Sequence, residues 1–386
     1  MAATATNDVF VKVFLEMMKN PPDPNDPGPL SNRKETMYGV VIPFHIISWA
    51  TVVFRLYTRF RIQRNPGWDD LFVVLAAIFN LIAMVCFLVG INYGMGKHLI
   101  YIPLPHIERV FTWLYIQNGS YHTTSFFIKV SLLCQYLRLF RNGILRTTCW
   151  IVMVLVCLWG AAYCFLAWFP CFPVRGFWDR SVDAKCYAFG MSSISGAMAA
   201  FTSFAATNMA FDTIIFLIPL TKYFKPGLGR KEYLALTALF SLGSIVVILA
   251  ALRLWSAANR DPQAPSSLDF TWWYPITLIL ACLEVDFALM CASMPIFWPV
   301  LIESFAQILV VQEVRVTHHR FGELDSPSGF EMGRTNSIKS STSTEGLTSL
   351  QKAGADWGSV EGSLVRDHNT GKAPGVSEVE IQGQRR

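Results

Sequence analysis

The sequence predicts an all-α fold: a polytopic membrane protein with a seven-transmembrane-helix bundle and a disordered C-terminal tail. Three observations predict it. Of the 386 residues, 53% are hydrophobic and 15% are charged, which is more apolar than a soluble protein of this length normally is. The apolar residues are gathered into seven long stretches, and the chain becomes polar after them. A helix needs about 20 consecutive apolar residues to cross a bilayer, where it must pair its own backbone groups.

The predicted spans follow one another along the chain with short connections. They lie near residues 37–57, 69–91, 112–138, 147–169, 198–221, 232–256 and 273–301. The alternative, a large soluble domain with buried helices, is disfavoured because the stretches are too long and too many. We expect Pro43, Pro219, Pro275 and Pro295 to mark kinks or helix ends, since proline lacks the backbone N–H that a helix interior uses.

The basic residues of the loops predict the orientation. The first, third and fifth loops are short and contain ten Lys and Arg, whereas the longer second, fourth and sixth loops contain six. Positive charge marks the cytoplasmic side. We therefore expect an extracellular segment at residues 1–36, a membrane domain at 37–302 and a cytoplasmic tail at 303–386. The plasma membrane is the predicted location.

Two of the nine cysteines, Cys171 and Cys186, lie outside the spans, and both are in the fourth loop. On the predicted outer side, an oxidising compartment would let them form a disulfide. Metal binding is the rival interpretation, but it needs more ligands than Asp179 and Asp183, the two carboxylates between the cysteines. The sequence therefore favours a disulfide and no metal site.

The tail is rich in Ser, Thr, Gly and charged residues and has few aromatic residues. Such a segment cannot bury enough apolar surface to fold alone, so we predict that it is disordered. Ser337, Ser340 and Ser341 lie near basic residues, which makes them candidate phosphorylation sites as well as parts of a solvated tail. With Arg138, at the inner end of the third span, they are the predicted signalling residues.

Ionisable residues are rare within the spans. They are His122, Lys129, Asp212, Arg253, Glu284 and Asp286. Because charges are costly in hydrocarbon, such residues usually face the bundle interior or a wet cavity. At about 1.5 Å per residue, Lys129, Asp212 and Glu284 lie at similar depths, so Lys129 can pair with either carboxylate. Asn208 lies one turn before Asp212, and Arg253 is near enough to the end of its span to snorkel.

These residues predict an intramembrane polar network made of Lys129, Asn208, Asp212, Arg253 and Glu284. Two interpretations stay open for it. The network either only fixes helix packing, or it lines a ligand cavity and changes during switching, and one network can do both.

Several chemistries are disfavoured by the sequence. A retinal protein needs a lysine in its seventh helix, and residues 272–302 contain none, so we expect no retinal and no other cofactor. Membrane prenyltransferases hold diphosphate through magnesium and clustered aspartates, and no second acidic cluster accompanies Glu284 and Asp286. There is no phosphate-binding loop and no basic, aromatic-interleaved surface for nucleic acid. A transporter and an enzyme using Asp212 or Glu284 as acid or base remain alternatives, but no catalytic residue is assigned.

Six motifs occur in order: RLYTRFRIQRNPGWDD, GINYGMGKH, FFIKVSLLCQYLRLF, CFPVRGFWD with Cys186, NMAFDTIIFLIPL and DFTWWYPITLILACLEVDFALMCASMP. Together they make residues 37–302 resemble the fungal rhodopsin-domain family of seven-helix integral membrane proteins. The positions that match the family pattern are Asp69, Asp70, Gly94, Gly96, His98, Lys129, Ser131, Arg138, Cys171, Pro173, Trp178, Cys186, Asp212, Pro219, Arg253, Glu284 and Pro295. Two features depart from it: Leu280 stands where a tryptophan is common, and residues 1–36 lack the cysteine-rich module of some surface-sensing members.

The resemblance implies a GPCR-like arrangement with an outer N-terminus and a disulfide-bearing outer loop. It also implies one of two roles, because the family includes receptor-like proteins and proteins encoded beside secondary-metabolite pathways. We predict a receptor-like protein in the lipid bilayer that senses a small, mostly apolar ligand or stress and signals to a G protein or other cytoplasmic effector. The alternative is an accessory membrane protein of a fungal secondary-metabolite pathway that moves or transforms an intermediate.

Overall fold

The computed structural model describes residues 15, 17–19, 21–23, 28–140, 142–179, 181–223, 230–259 and 269–309. These residues contain seven long helices: α1 (Lys34–Tyr57), α2 (Trp68–Tyr93), α3 (Leu104–Leu139), α4 (Ile144–Trp168), α5 (Ile194–Tyr223), α6 (Arg230–Ala258) and α7 (Phe270–Leu309). A π-helical turn at Thr58–Ile62 continues α1. Four short 3-10 helices lie at Leu30–Asn32, Leu99–Tyr101, Val174–Phe177 and Ala188–Gly190. The predicted phosphorylation sites Ser337, Ser340 and Ser341 lie outside the described residues.

Six of the seven helices are long and apolar enough to cross a membrane, so the chain is a multi-pass membrane protein. The exception is α3, which has 36 residues but a more polar composition. It contacts α2, α4, α5 and α7, and nine consecutive residues, from Gln117 to Ser125, are buried. Over this stretch α3 is covered by other helices, so it needs less apolar surface than a helix that faces lipid. The predicted third span, 112–138, lies within α3.

The helix ends differ from the predicted spans in one physical respect. Pro43 lies inside α1, Pro219 lies inside α5, and Pro275 and Pro295 lie inside α7. None of the four prolines therefore ends its helix, and of the two predicted alternatives only a kink remains. In membrane helices, neighbouring helices and side chains satisfy the backbone groups that a proline leaves unpaired, which lets the helix continue.

The loop between α4 and α5 contains a disulfide between Cys171 and Cys186, as predicted. The bond joins two short antiparallel strands, β1 (Cys171–Phe172) and β2 (Lys185–Cys186), in which the two cysteines face each other. We call the end of the bundle that carries this loop the disulfide end, and the other end the opposite end. The α2–α3 loop also lies at the disulfide end, where the Gly96 amide donates to the Thr271 carbonyl at the start of α7 (2.9 Å).

Candidate functional site

The centre of the bundle contains an ion pair between α3 and α5. Lys129 Nζ lies 2.8 Å from Asp212 Oδ1, and the two side chains are only 3% and 12% exposed. The same ammonium donates to Asn208 Oδ1 at 2.7 Å and to Ser125 Oγ at 3.3 Å. Ser125 precedes Lys129 by four residues and Asn208 precedes Asp212 by four, so each helix presents its two polar side chains on one face.

A second ion pair joins α6 to α7. Arg253 Nε donates to Glu284 Oε2 at 2.8 Å, and its Nη2 donates to Oε1 at 3.3 Å. The arginine side chain is 5% exposed. The alternative that Arg253 snorkels to the membrane surface is therefore wrong, because its charge is neutralised within the bundle.

Asn208 connects the two ion pairs. Its Nδ2 donates to Glu284 Oε1 at 2.7 Å and to Asp212 Oδ2 at 3.0 Å, while its Oδ1 accepts from Lys129. The structure thus brings together all five residues of the predicted network. It contains two cations and two anions, so its formal charge is zero. Lys129 pairs with Asp212 rather than with Glu284.

Aromatic rings surround these charges. The Arg253 guanidinium lies 5.3 Å from the centre of the Tyr121 ring and 5.8 Å from that of Phe204. Lys129 Nζ lies 5.5 Å from the Trp159 ring. Cations are attracted to the faces of aromatic rings, and charge pairs attract each other more strongly in apolar surroundings than in water.

A cavity adjoins the network on the side of the disulfide end. It is lined by residues of α3, α5, α6 and α7 and has a volume of about 40 Å³. Tyr121, Phe204, Tyr274 and Leu278 contribute mainly apolar surface, and Arg253 is also part of the lining. Arg253 therefore contacts both the cavity and Glu284, which makes it the link between the cavity and the network.

The sequence analysis missed a second charged cluster, at the opposite end. Arg55 at the end of α1 is fully buried and donates to Asp69 Oδ2 at 2.6 Å and to Asp70 Oδ1 at 2.9 Å. A third bond goes to the Ala292 carbonyl of α7 at 2.6 Å. Asp70 also accepts from the Gly67 amide at 3.0 Å, as a carboxylate at the start of a helix commonly does. The signal that could have predicted this cluster is an arginine near the end of one span together with an Asp-Asp pair at the start of the next span.

Arg138, predicted to be a signalling residue, belongs to the same region. Its Nη1 lies 3.4 Å from Asp69 Oδ1 and its Nη2 donates to the Asn65 carbonyl at 2.8 Å. About a third of the side chain is exposed (31%). Arg138 therefore connects the end of α3 to the start of α2 and still presents surface to the outside of the bundle.

A third polar cluster joins α1, α2 and α7. Trp49 Nε1 donates to His45 Nε2 at 3.0 Å, so His45 Nδ1 carries the proton and donates to Asp286 Oδ1 at 3.2 Å. Asn80 Nδ2 donates to the same oxygen at 2.8 Å. Glu284 and Asp286 thus point to different neighbours, as their spacing of two residues predicts. The sequence analysis did not single out His45 or Asn80.

The model of the fungal rhodopsin domain matches residues 54–303, which include the five network residues and the disulfide. The chain is 23% identical over 319 residues to wortmanamides biosynthesis cluster protein C of Talaromyces wortmannii, and the match covers 81% of each protein. It is 20% identical to a SAT4 family membrane protein of Emericella nidulans, covering 58% of this chain and 54% of the relative. It is 22% identical to fugralins biosynthesis cluster protein 2 of Gibberella zeae, covering 58% and 56%.

Proposed function

This chain belongs to the fungal rhodopsin-domain family, and on that premise we propose that it is a receptor-like protein that senses a small molecule inside its helix bundle. The molecule would be mostly apolar, because aromatic and aliphatic side chains form most of the cavity wall. In this proposal the N-terminus is outside the cell, the tail is cytoplasmic and the protein lies in the plasma membrane. A G protein or another cytoplasmic effector would bind at the opposite end.

The position of Arg253 carries the proposal. Its guanidinium lines the cavity and holds Glu284 through two hydrogen bonds. A ligand that moves this guanidinium changes the Glu284 pair directly, and Asn208 passes the change to the Lys129–Asp212 pair. Each of the four charges comes from a different helix, so rearranging the network also moves α3, α5, α6 and α7 relative to one another. A network with two packed arrangements would let ligand binding shift their populations.

The route to the opposite end runs along α3. Lys129 and Arg138 are nine residues apart on this helix, which is about 13 Å at 1.5 Å per residue. Arg138 contacts Asp69, and Asp69 in turn accepts from Arg55 of α1. A shift of α3 would therefore act on the charged cluster at the opposite end, where we place effector binding.

The second candidate function is an accessory role in a secondary-metabolite pathway. Two of the three similar proteins are named for biosynthesis clusters, and this observation favours it. A catalytic role fits the site less well, because a general acid or base needs a free oxygen or proton to exchange with substrate. Glu284 already accepts from Arg253, Asn208 and Tyr121.

Deleting the gene in the native fungus separates the two functions. The deletion strain would be complemented with wild type, with Glu284→Gln or with an empty vector, and treated with extract of its own culture. The receptor function predicts that the transcriptional response to the extract is lost in the deletion and Glu284→Gln strains while all metabolites are still made. Loss of one metabolite with accumulation of its precursor, and an intact response to the extract, would support the accessory role instead.

A further inference from the structure

We infer that the ligand of the cavity carries a hydrogen-bond donor, a hydroxyl or an N–H, on an otherwise apolar body, and that His122 and Gln117 accept from it. This inference rests on the proposed function, in which the cavity binds a small molecule, and it adds the chemistry by which that molecule is chosen.

The first acceptor is Nε2 of His122, a residue of α3 that lines the cavity. His122 Nδ1 lies 2.7 Å from the Asn118 carbonyl oxygen. A carbonyl oxygen can only accept, so Nδ1 carries the ring proton and Nε2 of the neutral ring presents a lone pair. The side chain is 2% exposed, and Nε2 has no hydrogen-bond partner among the described residues.

Neighbouring rings fix the orientation of this imidazole. The centre of the His122 ring is 4.0 Å from that of Phe204 and 4.8 Å from that of Phe189. Turning the ring would break the bond to Asn118 and disturb both aromatic contacts. The acceptor is therefore held in place before a ligand arrives, which reduces the ordering that binding requires.

The second acceptor is Oε1 of Gln117, which lines the same cavity. Its side chain is 3% exposed, and Oε1 also lacks a partner in the described part of the chain. Buried polar atoms in proteins nearly always form hydrogen bonds. Several other buried side-chain atoms of the described residues also lack a partner, but these two acceptors share the lining of one cavity, where an occupant can donate to both.

The cavity has a volume of about 40 Å³ and a partly polar lining, so it is large enough to hold a water molecule. A ligand that displaces such water and donates in its place keeps the hydrogen bonds. A ligand without a donor leaves His122 and Gln117 unpaired and loses affinity. The two acceptors thus select hydroxyl- or N–H-bearing compounds over hydrocarbons and ethers of the same size.

Three small fluorinated probes test this selection on the purified full-length protein in lipid nanodiscs: 4-fluorophenol, 4-fluoroanisole and 4-fluorotoluene. Each probe is larger than the free space of about 40 Å³, so it enters only when the side chains and helices around the cavity move apart, as the proposed function requires. Binding would be measured by fluorine NMR. The control variant is Ala257→Trp, which places an indole in the cavity from a half-buried position near the disulfide end of α6. Signal that this variant removes is binding to the cavity, and signal that it retains is partition into lipid.

We expect 4-fluorophenol to bind about tenfold more tightly than the other two probes, a difference of about 1.4 kcal/mol. His122→Phe and Gln117→Met should each reduce this preference, because neither variant keeps the acceptor that a phenol hydroxyl would reach and that 4-fluorotoluene would leave unpaired. Two variants are used so that one that fails to fold does not decide the result.

Equal affinities for the three probes at a site that Ala257→Trp blocks would overturn the inference and leave the proposed function standing. A preference for the phenol that survives both acceptor variants would overturn it as well. If no probe shows saturable binding that Ala257→Trp removes, the cavity holds only water and the proposed function fails together with the inference.

Discussion

Replacing Asp212 with alanine removes the carboxylate that lies 2.8 Å from Lys129 Nζ. The ammonium then keeps only the oxygens of Asn208 and Ser125 and the face of the Trp159 ring. Breaking a buried pair in soluble proteins costs about 3–5 kcal/mol, because one charge is left uncompensated. We expect a smaller loss here, about 2 kcal/mol, for two reasons. The unpaired ammonium keeps its other acceptors, and a charge within a membrane can draw in water, which lowers the cost of burying it.

The reciprocal variant, Lys129→Ala, leaves Asp212 with one hydrogen bond from Asn208. We expect a similar loss of about 2 kcal/mol in the free energy of unfolding. The loss in the double variant should be smaller than the sum of the two single losses by about 1 kcal/mol or more. Each 1 kcal/mol corresponds to roughly 2–4 °C in melting temperature for a domain of this size class. The buried thiols of Cys86, Cys149 and Cys282 allow unfolding to be followed with a thiol-reactive fluorescent dye.

The matched control combines Lys129→Ala with Asp179→Ala, because Asp179 lies in the disulfide-bearing loop and pairs with Arg175 at the surface. Those two losses should simply add, since the residues share no partner. If the losses of Lys129→Ala and Asp212→Ala add as well as the control pair does, the two residues do not stabilise each other. The network described here would then be wrong at its central contact.

Three further predictions concern other parts of the bundle. Loss of the disulfide should cost about 3 kcal/mol of stability in the chain-entropy model. A thermal unfolding assay should therefore show the same loss for Cys171→Ser, for Cys186→Ser and for reduced wild-type protein. Unequal losses would show that the bond is not the common cause. Arg55→Lys should fold in lower yield, as judged by size-exclusion chromatography, because a single ammonium cannot reproduce a planar guanidinium that binds two carboxylates and a carbonyl; wild-type yield would contradict this. Hydrogen bonds from the Ser181 hydroxyl and amide, aided by Arg175, lower the pKa of Asp179, whose side chain is partly buried. The carboxylate therefore orders this loop above its unfolded pKa, and the order is lost as pH falls through the lowered pKa. Amide exchange at Ser181 that stays constant across this acid range would refute the prediction.

The fold and the centre of the network were predictable because lipid imposes simple rules. Long apolar stretches predicted all seven long helices of the described residues, and the rarity of charges within them made Lys129 and Asp212 stand out. Depth along a helix follows from residue number, so the two could be placed at one level. The pairing of Cys171 with Cys186 was predictable for a similar reason, since only these two cysteines lie outside the spans.

The contacts that could not be predicted from the sequence depend on which faces of the helices pack together. Arg253 could snorkel or turn inward by its position alone, and only the packing of α6 against α7 places it beside Glu284. Arg55 looked like an ordinary basic residue at the end of a span, because its partners belong to the next helix. The unpaired nitrogen of His122 could not be predicted, because that requires knowing that Nδ1 donates to the Asn118 carbonyl and that Phe189 and Phe204 pack against the ring.

Hydropathy describes α3 poorly because many of its polar side chains form hydrogen bonds within the bundle and do not face lipid. For example, the hydroxyls of Thr123 and Thr124 donate to backbone carbonyls one turn earlier in α3, at 2.8 Å each. A central helix of this kind is recognised from its position in the fold more easily than from its composition.

In the proposed function, an occupant of the cavity changes the helix positions at the opposite end of the bundle through the Arg253–Glu284 pair. The most direct measurement is the distance between two spin labels in nanodiscs, with and without saturating 4-fluorophenol. The labels replace the exposed residues Thr147 of α4 and Thr237 of α6, both of which lie toward the opposite end of the bundle. We expect the probe to change the distance distribution in wild-type protein and to leave it unchanged in Glu284→Gln, although the variant still binds the probe. Binding to wild type with no change in the distribution, or the same change in Glu284→Gln, would contradict the claim.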